Sequence, residues 1–314
     1  MRGLIIEDDY IDPDVAYLLG LIVARGQIIQ LPSRYEIVIH FPVGNLQIEA
    51  KDLQGAVQIF DIKTSIQLGM NHIRERLIEL MDCDVKVNTT GNSNSIVLTM
   101  NRRTMAWRNI VMHLEQKTDF RHMSVPKTLF HEAVPSDVRL EFIRGFADVA
   151  ANIRRSNNHF GNFNRVRLDV LNDNWDLPIQ LCLLMQQHLQ IPVQSIIWGH
   201  PNMNREFREH MINVFVKPFQ KIGSTFDHKK QVLKILVEQD NARPQRANLY
   251  SPCPGRRRTR GTKDSHPDEK SEKLPANVRQ HFDAYWQICK AVGCKIEPEP
   301  GPLFASVEVE VDES

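Results

Sequence analysis

One helical phrase, with a glycine at its middle, occurs twice in this chain. The first copy, Tyr17–Ile28, reads YLLGLIVARGQI, and the second, Phe142–Ile153, reads FIRGFADVAANI. Each follows a helix-start signal, Pro13-Asp14 or Pro135-Ser136-Asp137. Proline suits a first helical turn, and an acid there meets the positive end of the helix dipole. A mid-helix glycine, Gly20 or Gly145, costs ~1 kcal/mol relative to alanine. That cost is tolerated where two backbones must approach closely. Both copies then pass abruptly into β-type sequence. Two such helices in one chain predict a helix–helix seam with half of the protein hung on each.

The repeat extends past the phrase. After the first copy, Gln27–Leu31 and Tyr35–Pro42 read as strands, the second with Glu36, Val38 and His40 alternating against Ile37, Ile39 and Phe41. Alternation with period two marks a strand with one buried face. An amphipathic helix follows over about Lys63–Met81, then strands Asp84–Asn88 and Ser95–Met100 around a Thr-Gly-Asn-Ser turn, then a helix over Arg103–Gln116. The second copy leads through the same order: helix Ser136–Ala150, strands Asn152–Ser156 and Arg165–Leu171, helix Leu177–Leu189, strands Val193–Trp198 and Met211–Lys217, and a helix over about Lys229–Glu238. The expected fold class is α+β: two pseudo-symmetric αββαββα halves with antiparallel, saddle-shaped sheets, plus a small C-terminal lobe. The expected boundaries are 1–120 for the first half, 121–135 for a linker, 136–243 for the second half and 244–314 for an Arg-rich, Cys-containing lobe with an acidic tail.

The doubled phrase, with its matching strand sets, resembles the LAGLIDADG motif of homing endonucleases, in the single-chain, two-motif form. The resemblance covers about residues 5–240. It implies two helices crossing at their glycines, and a sheet from each half lying along double-stranded DNA. It also implies an acidic residue just before each final glycine, holding a divalent metal at the base of the cleft. This chain departs from the pattern there. Arg25 and Ala150 stand at the acidic positions, so the motif is degenerate and Mg²⁺, which needs oxygen ligands, is not expected. Asp148 stands at the earlier, largely structural acidic position and is the fallback catalytic acid. Glu141, Asp8 and Asp9 are further candidates if ligands have moved. The resemblance therefore implies a DNA-binding protein that has lost metal-dependent cleavage, a regulator or recognition component. The alternative is an active endonuclease of homing or host-defence type with relocated ligands. The relatives that lost cleavage carry an added helix-turn-helix domain, and none is evident here.

Under this resemblance the DNA-facing candidates follow from strand parity. Arg165, Arg167 and Asp169 share one face of their strand, against Val166, Leu168 and Val170 on the other. Arg154 precedes that strand, and Lys217 ends the last one. In the first half the candidates are Arg34, His40 and Lys86, and at the base of the cleft Arg25 would face phosphates. A solvated polar sheet face remains the plain alternative for all of these. Arg256, Arg257 and Arg258, in a Pro/Gly-rich stretch with no acid, could neutralise phosphates without reading sequence or serve as a solubilising linker.

Five cysteines and the absence of an export signal suggest reduced thiols or metal ligands. Cys253, His266, Cys289 and Cys294 form a candidate tetrahedral set for a structural Zn²⁺, although neither cysteine pair has tight spacing and Cys289 could be a small core residue. Asn277–Val292 reads as an amphipathic helix, with Val278, Phe282, Tyr285, Trp286 and Ile288 on one stripe. Glu297–Ser314 carries six acids and no Lys or Arg. Over the whole chain, 39 Lys and Arg nearly balance 38 Asp and Glu, so any basic face is offset by acids elsewhere. No apolar run approaches the ~20 residues of a membrane span. The expectation is a monomer with internal pseudo-twofold symmetry, cytoplasmic and nucleoid-associated, partnered by double-stranded DNA and not by membrane.

Overall fold

The structure, a computed structural model, describes residues 4–6, 9–48, 53, 62–90, 93–101, 103–154, 164–172, 176–193, 195–198 and 208–242. It is an α+β protein with two four-stranded antiparallel sheets. A short hairpin, β1 (Leu4–Ile6) with β2 (Asp9–Ile11), leads into α1 (Pro13–Arg25). The first sheet contains β3 (Gly26–Gln30), β4 (Arg34–Phe41), β5 (Asp84–Thr90) and β6 (Ser93–Asn101). Between its two halves lie a single turn, α2 (Val43–Leu46), and the long α3 (Ile62–Met81). Helix α4 (Met105–His113) closes this unit.

The second unit opens with α5 (Ser136–Ala150). Its sheet contains β7 (Ala151–Arg154), β8 (Arg165–Asn172), β9 (Ser195–Trp198) and β10 (Arg208–Phe215). Helix α6 (Asp176–Leu183) runs on into a π-helical turn, Leu184–His188, and the unit ends with the turn α7 (Val216–Phe219) and α8 (Asp227–Asn241). The two sheets have the same topology, β3-β4-β6-β5 and β7-β8-β10-β9, all antiparallel.

Helix α1 reads apolar all round, and a helix of that kind must be buried on every side. Every residue from Val15 to Arg25 is buried. Its start is fixed by Asp12, whose carboxylate accepts from the Val15 amide at 2.7 Å, with Pro13 in the first turn. Helices α1 and α5 cross at their glycines. A methyl group added at Gly20 would overlap the carbonyl oxygen of Phe142 and crowd the amide of Phe146. One added at Gly145 would overlap the carbonyl of Tyr17 and crowd the amide of Leu21. The two contact sets are reciprocal, since Tyr17 and Leu21 hold the same places around Gly20 as Phe142 and Phe146 hold around Gly145. The ends of the helices, Arg25 and Ala150, are therefore equivalent positions, and each leads directly into the first strand of its sheet.

The segment between the units is tied to both. Ile28 donates its amide to Thr118 O, and Gln27 bridges to Asp119, so the segment borders β3. Asn172 reaches the carbonyl of Met123, and the Val125 amide reaches Gln180. The N-terminal hairpin and the 3-10 turns at 120–122 and 127–130 are elements that periodicity did not reveal. Helix 177–189 differs from expectation in its widened last turn. Lys217 differs too: β10 stops at Phe215 and Lys217 lies exposed in α7, because the chain turns helical before Pro218.

Candidate nucleic-acid interface

The helix ends decide what chemistry the seam can support. Arg25 is 5% exposed. Its guanidinium donates to Ala24 O at 2.6 Å and to Asp169 O, in the other half, at 2.8 Å, and lies over the Phe120 ring. It is turned inward, so the phosphate-facing orientation expected of it is not the one observed. Ala150, its equivalent, is fully buried. A guanidinium and a methyl group do not fit a hard divalent cation, so no step through Mg²⁺ or a similar ion can be derived at this position. Among the described residues no three His, Cys, Asp or Glu side chains are grouped to hold a metal.

Asp148 is the buried carboxylate of the seam, and both of its oxygens are engaged. Its Oδ2 accepts from the Tyr17 hydroxyl at 2.7 Å, and its Oδ1 accepts from the Ser224 hydroxyl at 2.7 Å and the Thr225 amide at 2.9 Å. Burial, then the nearby Asp148 charge, pushes the Tyr17 phenol well above its ordinary value. Lys229, itself buried, donates to Ala151 O at 3.1 Å and lies 3.5 Å from Asp148 O, at the carbonyl-rich end of α5. A cation suits that end of the helix dipole, yet burial lowers the Lys229 ammonium to about 8. Asp148 thus ties α1 to the turn before α8. Glu141 is likewise committed: it pairs with Arg144 and, at 3.0 Å, with Arg76, which also holds Asp14 at 2.7 Å and lies 4.0 Å over the Tyr17 ring. Asp8 lies outside the described residues, as does the side chain of Asp9.

The outer face of the second sheet is where the expected arginines meet. Register places Arg167 between Asn152 and Asn213, and Arg165 opposite Arg154. Arg167 grips Asp169 through both carboxylate oxygens, at 2.5 and 2.9 Å. Arg25 reaches the backbone of the same Asp169 from below. The face is recessed rather than open: Arg165 is 7% exposed, Asp169 4% and Asn213 0%, and Arg154 is half-buried. By register Glu209 stands at its far end, opposite Leu171. Like charges directly opposite one another on a sheet repel, and Arg154 and Arg165 occupy such a pair of positions.

The outer face of the first sheet is different. Ile37, Ile39, Ile96 and Leu98 are buried beneath it, as the alternation predicts. On the outside, Arg34 pairs with Glu36 at 2.9 Å and Lys86 with Asp84 at 3.2 Å, while His40 and Asn88 are exposed. Its cations are matched by acids on the same strands. Arg256, Arg257, Arg258 and the proposed zinc set Cys253, His266, Cys289 and Cys294 lie outside the described residues.

Sequence reasoning missed the partners of Asp148, namely Tyr17, Ser224 and Thr225, together with Lys229 and Arg76. A carboxylate on the apolar, seam-facing stripe of a helix demands buried donors, so the need was readable from sequence but the donors' identity was not.

No helix among the described residues is long and apolar enough to cross a membrane. The chain matches no protein-family model and no curated protein. Solved structures similar to part of the chain include the following three. I-DmoI in complex with DNA and Mn is 14% identical, over 65% of this chain and 90% of that one, with a TM-score of 0.40. Full-length DUF199/WhiA from Thermotoga maritima is 13% identical, over 75% and 62%, with a TM-score of 0.42. The N-terminal LAGLIDADG domain of DUF199/WhiA is 11% identical, over 69% and 80%, with a TM-score of 0.35.

Proposed function

We propose that this protein binds double-stranded DNA through the outer faces of its two sheets, as a monomer, and does not cut it. The observation that carries this reading is the gathering of Arg154, Arg165 and Arg167 on one sheet face, with Arg167 paired to the Asp169 carboxylate and Arg25 beneath the face on the Asp169 backbone. Guanidinium groups match phosphate oxygens in bidentate geometry, and a sheet holds them in a fixed array. The absence of cleavage is supported by the donors at the helix ends, where Arg25 and Ala150 offer no oxygen ligand, and by the full commitment of Asp148 and Glu141 elsewhere.

Fluorescence anisotropy with duplex DNA, run from low to high salt, tests the reading. The expected result is binding whose affinity falls steeply as salt rises, because each neutralised phosphate releases counterion. A plasmid-nicking assay with Mg²⁺ or Mn²⁺ is expected to leave the plasmid intact. Absence of binding at low salt would overturn the DNA reading. Metal-dependent nicking would replace it with the endonuclease reading.

A further inference from the structure

Five large apolar side chains stand exposed among the described residues, and three of them, Tyr10, Met105 and Met112, line one groove. Met105 is 76% exposed. The groove, about 530 Å³, runs between β2, the start of α1, the end of α3 and α4, with Leu80, Met81 and Ile110 deeper in it. A concentration of apolar surface at one place marks an interaction site, whereas single exposed apolar residues do not. The groove belongs to the helical side of the first unit and shares no residue with the arginine face.

We propose that this groove docks a helix from the same chain, residues 277–292. That segment carries Val278, Phe282, Tyr285, Trp286 and Ile288 at helical spacing, a stripe that must be covered if the helix forms. The chemistry of the two surfaces is complementary. The groove offers three methionines, Met81, Met105 and Met112, and the stripe offers three aromatic rings. Thioether sulfur makes favourable contacts with ring edges, and flexible methionine side chains adapt to a helix laid across them. Arg108 at the groove edge suits Asp283, which follows Phe282 on the helix. Residues 243–276 separate the described structure from this segment, a tether that spans roughly 30 Å on average as a coil and about 110 Å when extended.

Photocrosslinking in the full chain tests the docking. Benzoylphenylalanine replaces Met105, whose exposure makes the change tolerable, and irradiated monomer is mapped by peptide mass spectrometry. The expected product joins position 105 to a peptide within 277–292. Its yield is expected to fall at least tenfold in a Phe282→Asp, Trp286→Asp variant, and the same probe at exposed Leu68 is expected to capture none of that segment. Crosslinks only between two copies of the chain would overturn the proposal in favour of self-association. A product mapping elsewhere, no product, or a yield insensitive to the two substitutions would overturn it outright. None of these outcomes depends on whether the protein binds DNA.

Discussion

The Tyr17 hydroxyl donates to the Asp148 carboxylate at 2.7 Å across 131 residues of sequence. The bond joins the two glycine-bearing helices, and the same carboxylate receives Ser224 and Thr225 from the turn before α8. Three elements thus converge on one buried carboxylate, both of whose oxygens are hydrogen-bonded.

Asp148→Ala should therefore act on stability. It leaves the Tyr17 and Ser224 hydroxyls and the Thr225 amide without their acceptor in a buried site, at a cost of ~3 kcal/mol. Asp148→Asn keeps the shape and one acceptor and should cost about half as much. Urea denaturation of the three proteins measures the difference. Equal midpoints for Asp148→Ala and the parent would contradict the structural role.

Gly20→Ala and Gly145→Ala should be damaging to similar degrees, because each new methyl meets backbone rather than a movable side chain. Backbone overlap of this kind costs ~3 kcal/mol or more. Gly44→Ala is the control, since nothing lies within 4 Å of its added methyl. Melting temperatures of the three variants rank the effects.

Two buried groups set the pH response, and they act at opposite ends of the range. His228 Nε2 donates to Leu46 O at 2.7 Å and its Nδ1 accepts from the Ser65 hydroxyl at 3.0 Å, and burial, the largest influence, lowers it to about 4. As pH falls the unfolded chain takes up the proton first. The stability due to neutral His228 is thus intact above about 6.5 and is lost progressively toward pH 4. Lys229 is lowered to about 8 by burial, so its charged form burdens the fold at neutral pH. Stability should rise between about pH 8 and 10.5, where the native lysine is already neutral and the unfolded one is not. Urea midpoints across pH give both slopes, and Lys229→Met should flatten the alkaline one.

For the proposed DNA contact, the joint change Arg165→Gln, Arg167→Gln should weaken binding at least tenfold and make the logarithmic salt slope shallower by ~2. Lys86→Gln, on a sheet face where the candidate cations Arg34 and Lys86 each meet an acid on their own strand, should change affinity less than twofold. Anisotropy titrations at several salt concentrations decide this. Equal losses from both sheets would show that the arginines of the second sheet do not dominate binding.

The architecture was legible wherever a periodic signal was long. Alternation in β4 and β8 and the glycines of α1 and α5 gave the seam, the element order and the buried strand faces. What sequence could not supply was side-chain direction at the ends of elements. Arg25 reads as a cation at the base of a cleft, yet its guanidinium turns inward to Asp169 O. That acceptor is a backbone atom 144 residues away, which no local pattern encodes. Arg165 reads as the solvent side of a strand by parity, and parity is correct, yet only 7% of it is exposed. Parity assigns a face; it does not say how far that face is open. Lys217 was misplaced because the strand-like run through Val216 continues in character after the backbone has turned helical.

The reciprocal fit of Gly20 and Gly145 has a consequence for each unit taken singly. At the crossing, the glycine notch that α1 presents to α5 matches the one it receives. A half severed at the connecting segment would bare a face complementary to another copy of itself, an isologous dimer interface in waiting. Fusion of the two halves therefore does more than shorten a tether, because it holds the mixed pairing against two homotypic ones at any dilution.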